Sequence, residues 1–227
     1  MLTDYLKKIP LFSHIKDSQL KEIAARCRKV KYGKGDAVFQ KYDPGTELFV
    51  VLSGKLKAVL EDEQGSEMVL AGFEQGDFFG ELGLLDGKGR SATIVADKDS
   101  ELAVLSKDVL IELLQKDPKI AVELIATLVE RLRKADEMIE SLAFLEVGER
   151  LVRALLETAD AGSDNASGYL RTKKLTHKDI ASRIGSSREA VSKCMKVLTA
   201  KGIIRESEGV FLIAHDAVDR LRENGQK

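Results

Sequence analysis

At 227 residues the chain exceeds a minimal domain and predicts two, and its 44% hydrophobic and 32% charged residues are the balance of a soluble globular protein, with no apolar run long enough to cross a bilayer. Its two cysteines, Cys27 and Cys194, lie far apart and offer neither a disulfide framework nor a four-thiolate iron–sulfur site within one chain. The net charge of −1 hides an asymmetry: residues 1–147 carry 21 Lys+Arg against 26 Asp+Glu, whereas residues 148–227 carry 15 against 11.

The N-terminal MLTDYLKKIPLF has no apolar core of signal-peptide length, so a cytoplasmic location is expected. Residues 2–30 read as short helices, with SQLKEIAARCRKV following a turn at Asp17-Ser18. From Tyr32 to Leu105, Gly33, Gly35, Gly45, Gly54, Gly65 and Gly76 recur at close intervals. Between and after them lie the β-prone runs DAVFQK, ELFVVL, GKLKAVLE, EMVLAGF, ATIVA and SELAVLS. Turn signals spacing short strands predict an antiparallel barrel or sandwich. At Asp43-Pro44-Gly45 a turn is expected in which Pro presets φ and Gly takes the positive φ that follows.

Inside this region FFGELGLLDGKGRSATIVA, Phe78–Ala96, places Glu81, Arg90 and Ser91 around the loop Asp86-Gly87-Lys88-Gly89. A carboxylate suits sugar hydroxyls, and the planar guanidinium fork suits a phosphate. Backbone amides at a helix start also favour an anion. The combination points to a small ligand with both a sugar and a phosphate. A Glu81–Arg90 ion pair that merely holds the loop is the competing reading. Tyr32 to Leu145 contains no His and no Cys, which removes the usual protein ligands of haem.

After Asp117-Pro118 the period becomes helical. Ala121, Ile125, Leu128, Leu132, Ala135, Ile139 and Leu142 follow at alternating spacings of four and three. Such a seam predicts a parallel pairing with a second copy, the alternative being a helix packed on its own domain.

Near Glu146-Val147-Gly148 a third segment begins. GERLVRALLETA reads as helix and DAGSDNASG as a loop. KLTHKDIASRIG and SSREAVSKCMKVLTAKG are two helices around Gly185-Ser186-Ser187. IIRESEGVFLIA is a hairpin turning at Glu208-Gly209, with a last helix from Asp216. Thr176 caps the first helix of the pair, Ser186 or Ser187 the second, and Gly185 takes the left-handed turn between them. Ala190, Val191, Met195 and Leu198 form the inner face of the second helix, leaving Arg188, Glu189, Ser192, Lys193 and Lys196 outside. Arg171 to Arg205 carries ten basic residues against two acids, which reads as a polyanion-binding surface. Arg and Lys donate to guanine and Glu accepts from cytosine, so this helix is a candidate major-groove reader and the hairpin its wing. No segment is left over for a catalytic domain, and nothing is placed to activate Ser91 as a nucleophile.

Three motifs in order, GELGLLDGKGRSAT, SLAFLEVGERL and LTHKDIASRIGSSREAVSK, resemble the CRP/FNR family of bacterial transcription regulators. The resemblance covers nearly the whole chain. It implies an α+β protein with an N-terminal antiparallel β-roll of the cyclic-nucleotide-binding type over residues 1–117, a dimerisation helix and hinge over 118–146, and a winged helix-turn-helix over 147–227. It implies that Glu81 accepts from the ribose 2′-hydroxyl and that Arg90 pairs with the cyclic phosphate. Ser91 and amides near Leu82 then complete the phosphate shell, while Gly80 and Gly83 allow close backbone approach. Ala135 and Asp136 fall where cAMP-responsive members carry two hydroxyl residues that contact adenine. Asp136, an acceptor, also suits the N1–H and N2–H₂ edge of guanine, and Arg133 and Lys134 are neighbouring candidates for the base. In the reader, Arg188, Glu189, Ser192 and Lys193 fall at base-contacting positions, and Thr176, Lys178 and Ser187 at phosphate contacts. Glu146 stands where the family commonly has Asp, and is a weaker helix cap.

The implied protein is a homodimeric DNA-binding regulator, not an enzyme, with no prosthetic group. It takes a cyclic nucleotide effector, cAMP by default or cGMP, binds a palindromic operator in double-stranded DNA, and engages RNA polymerase. A constitutive regulator, or one answering to a cyclic dinucleotide or to redox change, is the alternative within the fold. A regulatory subunit that binds no DNA is the remoter one.

Overall fold

The computed structural model describes residues 2–63, 65–159, 168–207 and 210–223. The chain divides into two compact units, residues 1–60 with 69–135 and residues 61–68 with 136–227.

The first unit opens with α1 (Leu2–Leu6), a 3-10 turn over Pro10–Phe12, and α2 (Asp17–Arg26). Then follow β1 (Arg28–Tyr32), β2 (Ala37–Phe39), β3 (Glu47–Glu61), β4 (Glu67–Phe73), β5 (Phe78–Phe79), α3 (Glu81–Asp86), β6 (Thr93–Ser106) and α4 (Lys107–Lys116). The six strands form one sheet in the order β1-β6-β3-β4, with β2 on β6 and β5 on β3. The pairings of β6 with β1, β2 and β3 are antiparallel. This is the expected antiparallel β-domain.

Alternation along β3 and β6 builds two cores. Leu48, Val50, Leu52, Ala103 and Leu105 join the helices' Leu6, Phe12, Leu20, Ile23 and Leu110 on one face. Phe49, Val51, Leu102 and Val104 face Phe73 and Phe79 on the other. Burial on both faces is why these stretches are continuous apolar runs.

The elements differ from expectation in places with identifiable causes. The expected pairs of strands in 47–61 and 92–106 are each a single long strand, with the β3/β6 register shifting between Val51 and Leu56. Gly54, with φ 97°, makes that bend, and its absent Cβ leaves room for Ser100 Oγ, which accepts from the Lys55 amide at 3.1 Å. Residues 28–30, expected as helix, are strand, because Cys27 is already extended and closes α2. At Asp43-Pro44-Gly45 the positive φ belongs to Tyr42 (74°), not to Gly45.

Helix α5 (Pro118–Phe144) begins in the first unit and runs into the second. Ile120 and Leu124 are buried and Leu128 packs on the first core, whereas Val122, Ile125, Val129, Leu132, Ile139 and Leu142 are exposed. The expected seam therefore needs correction. Ile125, Leu132, Ile139 and Leu142 lie outward as expected, but the alternate outward positions are Val122 and Val129 instead of Ala121 and Leu128. The helix thus has two adjacent apolar edges, one packed on its own domain and one left outward.

The second unit contains α6 (Val147–Glu157), β7 (Tyr169–Arg171), α7 (His177–Ile184), α8 (Arg188–Ala200), β8 (Ile204–Ser207), β9 (Val210–Ala214) and α9 (Ala217–Glu223). Leu151, Leu155, Ile180, Ile184, Val191, Met195, Leu198, Phe211 and Ile213 share its core. The three strands form an antiparallel sheet in the order β7-β9-β8, β7 being a strand without a sequence signal of its own. Glu146 starts α6 with no side-chain cap bond, as its residue type led one to expect. The expected hairpin turn at Glu208-Gly209 and most of the loop DAGSDNASG lie outside the described residues.

Candidate functional site

In the first unit the chain passes from β5 through Gly80 into α3. Gly80 has φ 89°, and a Cβ there would stand 2.6 Å from Arg90 Nη1 and 2.9 Å from the Glu47 carbonyl oxygen, so only glycine fits. Glu81, the first residue of α3, is 3% exposed. Its Oε1 accepts from Arg131 Nη1 at 2.9 Å, while its buried Oε2 has no hydrogen-bond partner. A buried carboxylate oxygen left without a donor is costly, and a ligand hydroxyl is the kind of group that relieves it.

Arg90 is 4% exposed. Its Nη1 donates to the carbonyls of Gly80 at 2.8 Å and Glu47 at 3.0 Å, and the guanidinium lies over the Phe39 ring with 4.2 Å to the centroid. Burial draws its pKa down from the usual arginine value, opposed by the nearby carboxylates of Glu47, Glu81 and Asp43. An arginine stays protonated in this setting, so the pocket keeps a fixed cation. No Glu81–Arg90 bond forms, and the carboxylate pairs with Arg131 instead. Ser91, Leu82, Ala135 and Asp136 are exposed.

Sequence reasoning missed Arg131. Its Nη2 donates to the Phe78 carbonyl, and its guanidinium lies 5.0 and 5.2 Å from the Phe78 and Phe73 ring centroids. The signal was present as helix geometry. Ile120, Leu124, Leu128 and Arg131 follow at spacings of four, four and three, which sets Arg131 on the inward edge of α5. Arg133 and Lys134 are exposed, and Lys134 is paired with Glu130 at 2.7 Å. On the outward edge the series Val122, Ile125, Val129 and Leu132 continues at the same alternation to Asp136 and Ile139, so Asp136 interrupts an apolar stripe.

In the second unit Thr176 closes a capping box: its Oγ1 accepts from the Asp179 amide at 3.1 Å, and Asp179 Oδ2 accepts from the Thr176 amide at 2.8 Å. Gly185 is left-handed (φ 59°, ψ 53°), and Ser187 caps α8 by accepting from the Ala190 amide at 3.1 Å. These local choices produce the expected helix-turn-helix. Val191, Met195 and Leu198 face the core, while Arg188, Glu189 and Lys193 are exposed on the first turns of α8 and Lys178 is exposed on α7. Ser192 differs: it is half-buried, with its Oγ 2.9 Å from His177 Nδ1. Among the described residues no group of His, Cys, Asp or Glu side chains could hold a metal ion. Burial pushes the Cys27 thiol up to about 11, which keeps it from thiolate chemistry near neutral pH.

A β-domain that seats a carboxylate and a buried arginine, joined in one chain to an exposed basic reading helix with a wing, defines a ligand-domain transcription regulator. Comparison with known proteins agrees. Residues 29–117 match the cyclic nucleotide-binding domain and residues 149–223 the Crp-like helix-turn-helix domain. The chain is 32% identical over 213 residues to the cyclic AMP receptor protein of Thermus thermophilus, covering 94% of this chain and 96% of that protein. It is also 32% identical to the cAMP-activated global regulator Vfr of Pseudomonas aeruginosa, over 82% of this chain and 88% of that one. Among solved structures, the c-di-GMP responsive global regulator CLP of Xanthomonas campestris matches with a TM-score of 0.76 and 25% identity, over 88% of this chain and 99% of that one. The chain belongs to the CRP/FNR family of DNA-binding transcription regulators and is not an enzyme.

Proposed function

We propose that this regulator is a homodimer whose affinity for a palindromic operator is set by a cyclic nucleotide, cAMP, bound at Glu81, Arg90 and Ser91. The observation that carries the reading is the buried Glu81 oxygen with no donor, beside a buried, fixed arginine. Arg90 takes the cyclic phosphate, the free Glu81 oxygen takes the ribose hydroxyl, and Arg131 holds the carboxylate in place through its 2.9 Å bond to Oε1. Gly80 and the exposed Leu82 belong to the same turn. The apolar outward edge of α5, within residues 121–142, forms the two-fold axis. Thr176, Lys178 and Ser187 hold phosphates, and Arg188, Glu189 and Lys193 read bases. No helix among the described residues is long and apolar enough to cross a membrane. The regulator works in the cytoplasm with RNA polymerase.

A second reading, a guanine nucleotide such as cGMP, is favoured by Ala135 and Asp136, which offer a carboxylate acceptor and no hydroxyl. Calorimetric titration with cAMP, cGMP and a cyclic dinucleotide, with fluorescence anisotropy on duplex DNA in parallel, decides between them. Tight binding of cAMP, a rise in DNA affinity on its addition, and loss of both in Arg90→Ala are expected. Full response in Arg90→Ala would remove the phosphate site from this pocket.

A further inference from the structure

His177 opens α7 within the second unit, and its ring faces α8, β9 and β8. Its Nδ1 is 2.9 Å from Ser192 Oγ on α8. The ring stacks on Phe211 of β9 with centroids 6.2 Å apart and planes 24° from parallel. Its Nε2 is buried without a hydrogen-bond partner and faces the Glu206 carboxylate of β8 at 3.9 Å. The tautomer follows from electrostatics. In the neutral ring an unprotonated Nε2 would set a lone pair against a carboxylate, so the single ring proton belongs on Nε2 and Nδ1 is the acceptor. Ser192 is then the donor, and its single O–H is spent inside the protein.

We propose that His177 is a positioning residue for the DNA reader, and that Ser192 serves as its tether on the recognition helix rather than as a reader of bases. Ser192 stands between Arg188 and Lys196 on the groove-facing side of α8, one turn along from Arg188. A tether at that point fixes the rotation of α8 about its axis against α7, while Phe211 and Glu206 hold the same ring against the wing. Base discrimination is left to Arg188, Glu189 and Lys193. Losing the tether loosens the presentation of all three together, so affinity falls without a change in which base pairs are preferred. A lost base contact does the opposite, relaxing preference at one position.

The inference rests on α8 being the DNA reader, and its test keeps the two apart. A duplex is selected from a random-sequence pool with the full-length wild-type protein, and every base pair of it is then substituted singly. Anisotropy titrations follow for wild type, Ser192→Ala, His177→Phe, the double variant and His177→Asn, each with and without cAMP or cGMP. His177→Phe keeps a ring on Phe211 and drops the hydrogen bond, and His177→Asn restores an acceptor near the Nδ1 position. Ser192→Ala and His177→Phe are expected to weaken binding by a similar factor, about 5- to 10-fold from the usual range for a hydrogen bond, uniformly across the substituted duplexes. The double variant should lose no more than either single one, and His177→Asn should recover most of the loss. Additive losses, or a Ser192→Ala variant that relaxes preference at one base pair while His177→Phe does not, would overturn the proposal. Wild type that selects no duplex would instead remove α8 as the reader, and this inference with it.

Discussion

Gly45 and Gly80 are small for one shared reason, the path of the Arg90 side chain. Gly80 also needs its positive φ, so replacing it mixes backbone strain with crowding. Gly45 does not, which makes it the cleaner probe. A Cβ at Gly45 would stand 2.8 Å from Arg90 Nε, 2.9 Å from Cδ and 3.0 Å from Cζ. Arg90 has little room to give way, held by two carbonyls on Nη1 and by the Phe39 ring face. Gly45→Ala is therefore expected to displace the guanidinium and weaken cyclic nucleotide binding at least tenfold, about 1.4 kcal/mol, with the protein still folded. Gly72→Ala is the control, since its new Cβ meets nothing within 4 Å and its φ is not positive. Calorimetric titration of both variants reads the contrast, and equal affinities would show that Arg90 tolerates movement.

At the scale of elements, α5 carries the most information. Ile120 and Leu124 are 0% and 4% exposed, so Leu124→Asp should unfold the first unit by burying an unpaired charge. Leu132 is 62% exposed in the single chain, so Leu132→Asp should leave the protomer's circular dichroism spectrum unchanged. In a two-fold dimer the same change strikes twice, removing about 1.5–3 kcal/mol of apolar burial per copy. Multi-angle light scattering should then find a dimer for wild type and a monomer for Leu132→Asp at micromolar concentration. A dimeric variant would move the interface off this edge of α5. The same helix shows what the sequence made legible. Its length and apolar period were plain from residues 118–144. Its register was not, because Leu128 and Val129 are adjacent apolar residues and only packing decides which edge meets the protomer's own core. Arg131 escaped notice for the same reason, since a charged residue on a mostly charged helix reads as solvated until its inward edge is known. The turns at Gly80 and Gly185 were legible because they depend on local chemistry. The tether from His177 to Ser192 was not, since it joins residues fifteen apart through tertiary packing.

For the whole molecule the question is how many copies of each contact reach the DNA. Lys178 is exposed on the first turn of α7, directly after the capping residue Thr176 and His177, where its ammonium can meet a phosphate. Phosphate contacts release condensed counterions, and each one steepens the fall of log affinity with log salt by about 0.9. A monomer reading one half-site loses one such contact in Lys178→Gln. A homodimer on a palindrome loses two, so the slope should become shallower by about 1.8, with base preference unchanged. Arg188→Ala in the same dimer should lower the affinity for the preferred duplex far more than for a random one, the pattern expected of the proposed base-edge contact as opposed to a phosphate contact. Titrations between 50 and 200 mM salt, roughly the range over which such slopes are resolved, give the number directly. A change near 0.9 for Lys178→Gln would indicate that a single reading unit grips the DNA, whatever the oligomeric state in free solution. No change at all would place Lys178 off the phosphate backbone and leave the basic excess of residues 171–205 to act through its other members.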